Sequence, residues 1–275
     1  MARIKLTSEN YYSKEANIDY MSASQYKAFR KCEAAAMAEL SGEIERKNTA
    51  ALSVGSFIDA YFSGEMEQFK AQNPGIFTKK EELRAEYIKA MEAAKRIERD
   101  ELARMLISGR HQVIKTGKIG GVWFKSKYDS LLSSNAVENI CKKFPAVRAL
   151  VPFGGAMIVD LKYMKDFDDI YDDDMGEYVN FIEYWGYNYQ GAIYQAIDKR
   201  HAPFVILGVT KDDTPDLNAF YVPDEDLADC IAEIETNAPR YDAIKKGKTA
   251  PTGCGKCAYC RSQKKLDEII YYRYV

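Results

Sequence analysis

The chain has 275 residues, a net charge of −2, 47% hydrophobic and 29% charged residues. This composition is typical of a globular protein with one large domain or two small ones. No stretch approaches the ~20 apolar residues that a membrane-spanning helix requires, and residues 1–5 lack the apolar core of a signal peptide. We therefore expect a cytoplasmic protein.

The first part of the chain predicts helices. The segment Met21–Ser24 supplies an N-cap before a helix that runs to about Leu40. A second helix is predicted over residues 53–62. A third begins near Lys79 and extends towards Ser108, with apolar residues spaced by three and four. The third helix could instead break near residues 99–100.

The middle of the chain predicts strands, at residues 113–114, 122–131, 157–164, 178–182, 204–209 and 219–222. The run from Asn135 to Leu150 is interpreted as an inserted helix broken near Pro145. Further helices are predicted around Gln190 and from residue 224 to residue 245. The chain thus has helices first, then a cluster of strands, then a helix and more strands. This order indicates an α/β or α+β fold with a mixed sheet.

We interpret the whole chain as a single domain in three parts. Residues 1–110 form a helical lobe, residues 111–250 contain the sheet with its helices, and residues 251–275 are a cysteine-rich segment. The sequence contains neither an internal repeat nor a low-complexity tract that would indicate a linker.

One predicted strand, at residues 158–162, carries an acid and a lysine two residues apart. Alternate side chains of a strand share a face, so Asp160 and Lys162 point together while Val159 and Leu161 point into the core. A carboxylate that can hold Mg²⁺ beside an ammonium that can steady a water or a phosphate oxygen suits phosphodiester cleavage. Alone the pattern is weak, because charged strand faces are usually solvated.

Other residues around this strand add to the pattern. Asp129 ends the strand-like run that begins at residue 122, and Asp59 ends a helical stretch further upstream. Gln190 and Tyr194 stand four residues apart on a predicted helix and therefore share one face. The order is an acid on a helix, an acid after a strand, Asp-x-Lys, then Gln-x-x-x-Tyr.

This order resembles the PD-(D/E)xK nuclease superfamily, and within it the RecE/RecB-like exonucleases of phages and prophages. The resemblance covers roughly residues 22–260. It implies a restriction-endonuclease-like core, a mixed sheet flanked by helices with an N-terminal helical lobe. It also implies DNA as substrate, a phage-type recombination setting in a bacterial host, a single-strand annealing protein as a possible partner and a possible homo-oligomer.

The resemblance also implies roles for individual residues. Asp129, Asp160 and Lys162 would be catalytic, and Gln190 and Tyr194 would contact the substrate strand. Mg²⁺ or Mn²⁺ would be held by two acids and a backbone carbonyl with help from a third acid: Asp129, Asp160, the carbonyl of Leu161, and Asp59. Relatives often carry His at the last of these positions.

The net charge bears on the DNA expectation, because affinity for DNA comes largely from neutralising phosphates. A chain of net charge −2 would need a local basic groove. Its 20 tyrosines include candidates for stacking on unpaired bases, although most tyrosines are expected in the core or at its rim.

Three of the six cysteines, Cys254, Cys257 and Cys260, form Cys-x-x-Cys-x-x-Cys, a spacing typical of metal sites. Three ligands are one short of the four that a cubane cluster or structural zinc takes. Cys32 is the candidate for the fourth. This arrangement resembles that of AddB and CRISPR-adaptation nucleases, which implies a [4Fe–4S] cluster, with Zn²⁺ as the alternative.

The remaining cysteines and the two histidines are given structural roles. Cys141 and Cys230 lie in amphipathic helical contexts that predict small core residues. His111 and His201 lie in no motif and are expected to be structural or exposed. The sequence lacks a Gly-x-x-x-x-Gly-Lys-Ser/Thr loop, so an ATP motor is not expected.

Two functions compete at this point. The first is a metal-dependent DNA exonuclease. The second is a non-catalytic nucleic-acid-binding or recombination partner, in which the cysteine site holds the fold together and the acids have no catalytic role. The joint presence of Asp129, Asp160 and Lys162 favours the enzyme.

Overall fold

The structure is a computed structural model and describes residues 3–45, 50–150, 155–198, 202–266, 269 and 271. The predicted N-cap at the start of the chain is confirmed. After the short helix α1 (Lys14–Asp19), the Ser22 side chain accepts a hydrogen bond from the Gln25 amide, and the Gln25 side chain returns one to the Ser22 amide. This capping box starts α2 (Ala23–Lys31).

The histidine at position 201, which the sequence predicts to be structural or exposed, lies outside the described residues.

The prediction of one continuous helix to Leu40 is wrong. The helix ends at Lys31, and α3 (Glu33–Ser41) follows after a single extended residue, Cys32, with φ −165° and ψ 110°. The Cys32 sulfur accepts a hydrogen bond from the Ala35 amide and so caps the new helix. The break redirects the chain and leaves this sulfur at the junction of the two helices.

The following helices are α4 (Ala50–Ser63), α5 (Met66–Gln72), α6 (Ala85–Arg99) and α7 (Glu101–Leu106). The alternative break near residues 99–100 is confirmed, because the Asp100 side chain accepts a hydrogen bond from the Ala103 amide and caps α7. The predicted helix start near Lys79 is wrong. Glu81 adopts φ 61° there, and Phe77 forms a bridge with Leu83.

Strands β1 (Val113–Ile119) and β2 (Val122–Tyr128) form an antiparallel hairpin. Their two-residue turn, Gly120-Gly121, has φ +56° and +80°, the left-handed pair that glycine adopts readily. A Cβ at Gly120 would lie 2.6 Å from the carbonyl oxygen of Glu235. The turn therefore requires glycine at this position for its packing as well as for its backbone angles.

The prediction of one strand over residues 122–131 is also wrong. The chain leaves the hairpin after Tyr128 and begins β3 (Ser130–Leu132) in a different sheet. Asp129 stands between the two strands. After β3 come α8 (Ser134–Lys143) and α9 (Pro145–Arg148), which confirms an inserted helix broken at Pro145.

Strand β4 (Met157–Met164) occupies the predicted range. A small hairpin follows, built from β5 (Ile170–Asp172) and β6 (Glu177–Val179). The prediction that a strand continues to residue 182 is wrong, because the Asn180 side chain accepts a hydrogen bond from the Ile182 amide and caps the short helix α10 (Phe181–Tyr184).

The last elements are α11 (Tyr187–Asp198), β7 (Phe204–Thr210), β8 (Leu217–Val222), α12 (Asp224–Lys245) and α13 (Ala258–Gln263). Among the described residues, the central sheet has the order β3-β4-β7-β8. Strands β4 and β7 run parallel, and the outer pairs are antiparallel. The predicted mixed sheet flanked by helices is confirmed.

Apolar clusters cover both faces of this sheet. Ile158 and Ile206 belong to the cluster built with α2, α11 and α12. Val159 and Leu161 belong to the second cluster, built with α4, α6, α7 and α8, as the sequence predicts. Helix α11 approaches β7 so closely that a Cβ at Gly191 would lie 2.4 Å from the Phe204 ring. Among the described helices, none has the length and apolarity to span a membrane.

Candidate active site

Asp160 and Lys162 meet at one face of β4, as alternation along a strand requires. Asp160 is almost fully buried, with 1% of its surface exposed. Its Oδ2 forms an ion pair with the Lys162 ammonium but accepts no hydrogen bond of normal geometry. Burial alone would lower the pKa of Lys162, but the charges of Asp160 and Asp129 outweigh it and raise that pKa. The lysine is therefore charged at neutral pH.

Asp129 reaches the same place from the gap between β2 and β3. Its Oδ2 accepts a 2.9 Å hydrogen bond from the Leu161 amide. The amide and carbonyl of one strand residue point to the same side, so the Leu161 carbonyl faces the edge where Asp129 lies. The Nδ1 atom of His111 lies 2.9 Å from the Asp129 carbonyl oxygen, which gives this histidine the expected structural role.

Asp59, on α4, joins these acids from the helical lobe. Burial first, and then the negative charge of Asp160, raise the pKa of Asp59 to about 7. Lys162 and Lys127 act in the opposite direction. Burial and the charges of Asp59 and Asp160 also raise the pKa of Asp129. Three carboxyl groups thus converge in a region where their negative charges are costly without a cation.

Gln190 and Tyr194 project from α11 into this group of acids. The Gln190 side-chain amide donates a 2.6 Å hydrogen bond to Asp160 Oδ1 and a 3.1 Å bond to the Tyr194 hydroxyl. That hydroxyl donates to the Lys127 carbonyl oxygen at 3.2 Å. The Tyr128 hydroxyl donates to the Tyr194 carbonyl oxygen. Both residues line the cleft, and their described contacts orient Asp160.

Two further residues, Tyr187 and Lys27, which the sequence did not single out, lie near Lys162. The Lys162 ammonium lies 5.2 Å from the Tyr187 ring centroid, and the Lys27 ammonium lies 5.4 Å from the same ring. Burial, and then the positive charge of Lys162, lower the pKa of Lys27 to about 8. Tyr187 is one helical turn before Gln190, a spacing that could have suggested it. Lys27 carries no such signal.

A cleft of about 660 Å³ lies between α2, α3, β2, β4 and α11, and its lining includes Asp59, Asp129, Asp160 and Lys162. Gln112, also at its wall, adopts a left-handed backbone with φ 52°, an uncommon conformation for a non-glycine residue. The lining includes five lysines, Lys14, Lys27, Lys125, Lys127 and Lys162, together with four acids, Glu39, Asp59, Asp129 and Asp160. The cleft therefore holds ammonium groups beside the carboxyl groups, where they could contact phosphates.

The donor set fits a hard divalent cation. Mg²⁺ and Mn²⁺ prefer carboxylate, carbonyl and water oxygens, and this site offers three carboxyl groups with one strand carbonyl beside them. Asp160 Oδ2 is buried, and its described partner is the Lys162 ammonium. A divalent cation would add positive charge among the three carboxyl groups, whose burial and mutual repulsion raise the pKa values of Asp59 and Asp129.

The four predicted cysteine ligands come together at a second site. The sulfurs of Cys32, Cys254, Cys257 and Cys260 all lie within 4.8 Å of one another. The closest pairs are 3.6 Å for Cys32 and Cys260, 3.8 Å for Cys32 and Cys257, and 4.0 Å for Cys254 and Cys260. Cys141 and Cys230 are buried elsewhere, as the sequence predicts.

Backbone amides turn towards these sulfurs. The amides of Cys254, Cys257 and Cys260 point at the sulfurs of Cys32, Cys254 and Cys257 respectively, at 3.3–3.5 Å. Hydrogen bonds from the backbone of Cys257 and Lys256 lower the pKa of Cys254 to about 6, so its thiolate form, the form that binds metals, is populated at neutral pH.

Charged contacts fix the segment that carries the cysteines. The Arg240 guanidinium forms a fork with both Glu33 carboxylate oxygens, at 2.6 and 2.7 Å. The Thr252 amide donates to Glu33 at 2.8 Å. Since Glu33 follows Cys32 and begins α3, these bonds hold the C-terminal segment against a helix that also forms one wall of the cleft.

Comparisons with known proteins agree with this geometry. A family described as a PDDEXK-like domain of unknown function (DUF3799) matches residues 22–140 and 153–263. The chain belongs to this family. The crystal structure of the "Putative exonuclease" from Eubacterium rectale is 39% identical over 98% of both chains, with a TM-score of 0.83. The PD-(D/E)xK resemblance inferred from the sequence and its fold are therefore confirmed, and both matches support a nuclease.

A further solved structure, that of SSO0001, shares 11% identity over 84% of this chain and 90% of its own, with a TM-score of 0.28. No curated protein matches the chain significantly.

Proposed function

We propose that this protein is a metal-dependent DNA exonuclease that hydrolyses phosphodiester bonds at the site formed by Asp59, Asp129, Asp160 and Lys162. The observation that carries the proposal is the convergence of three buried carboxyl groups at Asp160, with the Lys162 ammonium paired to Asp160 Oδ2 on the same strand face. A structural role alone does not account for three buried carboxyl groups at a cleft that is also lined by lysines.

The chain's own residues divide into ligands, a cation and positioning groups. Asp129, Asp160 and the Leu161 carbonyl, with Asp59 assisting, would hold Mg²⁺ or Mn²⁺. Such an ion, when bound, lowers the pKa of water and offsets charge on a phosphate. Lys162 would orient the attacking water and stabilise negative charge that builds on the phosphate oxygens.

Gln190 and Tyr194 are proposed to act through Asp160. The resemblance implied contact with the substrate strand, but the Gln190 amide already donates to Asp160, and the Tyr194 hydroxyl is hydrogen-bonded on both sides. The Gln190 bond holds Oδ1 of Asp160 in place, while Lys162 pairs with Oδ2. Partners of this kind orient metal ligands and strengthen metal sites in general.

The cysteine site is proposed to hold a structural metal. Four sulfurs that share one tetrahedral zinc at ~2.3 Å stand about 3.8 Å apart, which agrees with the 3.6–4.0 Å between the closest sulfurs here. In a [4Fe–4S] cluster each thiolate binds a different iron, so the sulfurs stand further apart. The separations favour the Zn²⁺ alternative over the cluster that the resemblance implied first.

The proposed activity is tested by incubating end-labelled linear DNA and closed circular DNA with the protein in Mg²⁺, in Mn²⁺ and in EDTA. An exonuclease degrades the linear DNA with either metal and leaves the circle intact. Cleavage of the circle would indicate an endonuclease. Binding without cleavage in any metal would favour the non-catalytic partner. The recombination setting and the annealing partner stay predictions from the resemblance.

A further inference from the structure

Residues of the segment 11–17, here named the lip, form part of the wall of the cleft: Tyr11, Tyr12, Lys14 and Asn17. Its two tyrosines differ in burial: Tyr11 is 5% exposed and Tyr12 is 71% exposed. Both line the cleft, and their rings meet edge to face with centroids 4.9 Å apart. The lip therefore presents a large exposed aromatic ring at the entrance to the acids.

A buried lysine fixes the lip. The Lys125 side chain, 1% exposed, donates hydrogen bonds to the Tyr11 carbonyl and to Asn17 Oδ1, the latter at 2.7 Å. Its ammonium also lies 4.6 Å from the Tyr11 ring centroid. These contacts hold both ends of the lip against strand β2. The position of Tyr12 is thus set in advance, so that a ligand would not have to order the backbone that carries it.

Lysine ammonium groups lie near Tyr12 and near the acids. The Lys127 ammonium lies 5.4 Å from the Tyr12 ring centroid, and its charge also acts on the Asp59 carboxyl group. Lys14, within the lip, and Lys27, across the cleft, line the same opening. Ammonium groups beside an exposed aromatic ring match a nucleotide, which has a phosphate next to a flat base.

We propose that the lip binds the unpaired end of a DNA strand, with Tyr12 stacked on a base and with Lys127 and Lys14 contacting adjacent phosphates. This inference rests on the proposed nuclease function and names its substrate class as a single-stranded end. Stacking requires an exposed base face, which internal paired bases lack. A cleft of about 660 Å³ has the size of a small-ligand pocket and so admits a short piece of one strand.

The test compares Tyr12→Ala with Tyr178→Ala. Tyr178, on β6, is equally exposed at 72% but does not line the cleft. Binding of a fluorescent single-stranded oligonucleotide and of a blunt duplex is measured by anisotropy in EDTA, where no cleavage occurs. We expect Tyr12→Ala to raise the single-strand Kd by about 5- to 150-fold, the usual effect of losing one base stack. Tyr178→Ala should leave it unchanged.

Two further variants separate stacking from charge. Tyr12→Phe keeps the ring and should bind like the wild type. Lys127→Ala should reduce the slope of log affinity against log salt by about 0.7, the value for one phosphate contact in a single strand, whereas Tyr12→Ala should leave that slope unchanged. The two contributions are thereby measured independently.

The outcomes distinguish this inference from the proposed function. Equal single-strand affinity of Tyr12→Ala and Tyr178→Ala overturns the inference even if the wild type cleaves DNA. An equal loss of duplex and single-strand affinity in Tyr12→Ala also overturns it, as does failure of the wild type to bind the single strand. Tight, Tyr12-dependent binding without cleavage in Mg²⁺ or Mn²⁺ supports the inference and contradicts the nuclease.

Discussion

The side-chain amide of Gln190 lies 2.6 Å from Asp160 Oδ1, and the other oxygen of this carboxylate, Oδ2, pairs with the Lys162 ammonium. A single donor from α11 thus fixes the orientation of an acid on β4. The same amide reaches the Tyr194 hydroxyl, which ties this pair to the backbone of β2. The geometry of the site depends on three elements that are distant in sequence.

Gln190→Ala should lower the cleavage rate about 10- to 100-fold and raise the Mg²⁺ concentration required, because loss of a group that orients a metal ligand has effects of that size. The measurement is a set of cleavage rates across a Mg²⁺ titration, with thermal unfolding to check the fold. Gln72→Ala, at an exposed position on α5, is the matched control. An unchanged Mg²⁺ requirement in Gln190→Ala would contradict the positioning role.

Lys162→Ala should reduce the cleavage rate at least ~100-fold, the usual scale for one electrostatic stabiliser. The raised pKa of Lys162 keeps its charge present across the neutral range. Single-turnover rates at saturating Mg²⁺ check this, and Lys165→Ala is the control, since its side chain is 92% exposed just after β4. Near wild-type rates in Lys162→Ala would show that the ammonium only neutralises Asp160.

Cys32→Ser should lose the metal that the cysteine site holds and lower the Tm by roughly 10 °C, because structural metal binding stabilises the folded state directly. Elemental analysis is expected to find zinc in the wild type and little in the variant. Cys141→Ala, in the core away from the site, should keep the metal. Iron with visible absorbance in anaerobically purified protein would instead establish the cluster.

Lys245 gives a pH-dependent prediction. It is buried and donates a 2.7 Å hydrogen bond to the Tyr20 carbonyl, and burial lowers its pKa to about 7. In the unfolded chain its pKa is about 10.4. Between these values the unfolded state holds the extra proton, so the free energy of unfolding rises with pH, by at most about 1.4 kcal/mol per pH unit.

Lys245→Met removes this titration and should flatten the rise of the unfolding free energy between pH 7 and pH 10. Urea unfolding at several pH values measures the slope. Lys246→Met, at a more exposed neighbouring residue, should keep the wild-type slope. If the two variants show equal slopes, Lys245 is protonated in the folded protein throughout this range.

The parts of the site that could be predicted from the sequence follow local periodicity. Asp160 and Lys162 share a strand face because the period is two, and Gln190 and Tyr194 share a helix face because they are four residues apart. Cys254, Cys257 and Cys260 meet within one short segment. Each of these patterns depends only on neighbouring residues.

The parts that were missed depend on contacts between distant segments. The sequence predicts continuous helix at the break at Cys32, because the residues around it favour helix, and the contacts of the Cys32 sulfur with Cys257 and Cys260 join positions more than 200 residues apart. The buried lysines Lys125 and Lys245 each donate to backbone carbonyls more than 100 residues away. Hydrogen bonds between residues so far apart in the chain leave no pattern in the local spacing of residues. The available clue was that Lys125 and Lys127 stand two residues apart on β2, with Asp129 two residues further, just after the strand.

The most direct test of the central claim is release of labelled nucleotides from linear DNA in Mg²⁺ by the wild type and by Asp160→Asn, prepared identically. The substitution keeps the size of the side chain and removes the charge that would hold the cation. We expect release by the wild type that EDTA abolishes, and no measurable release by an Asp160→Asn variant that unfolds like the wild type. Equal release by the two proteins would contradict it.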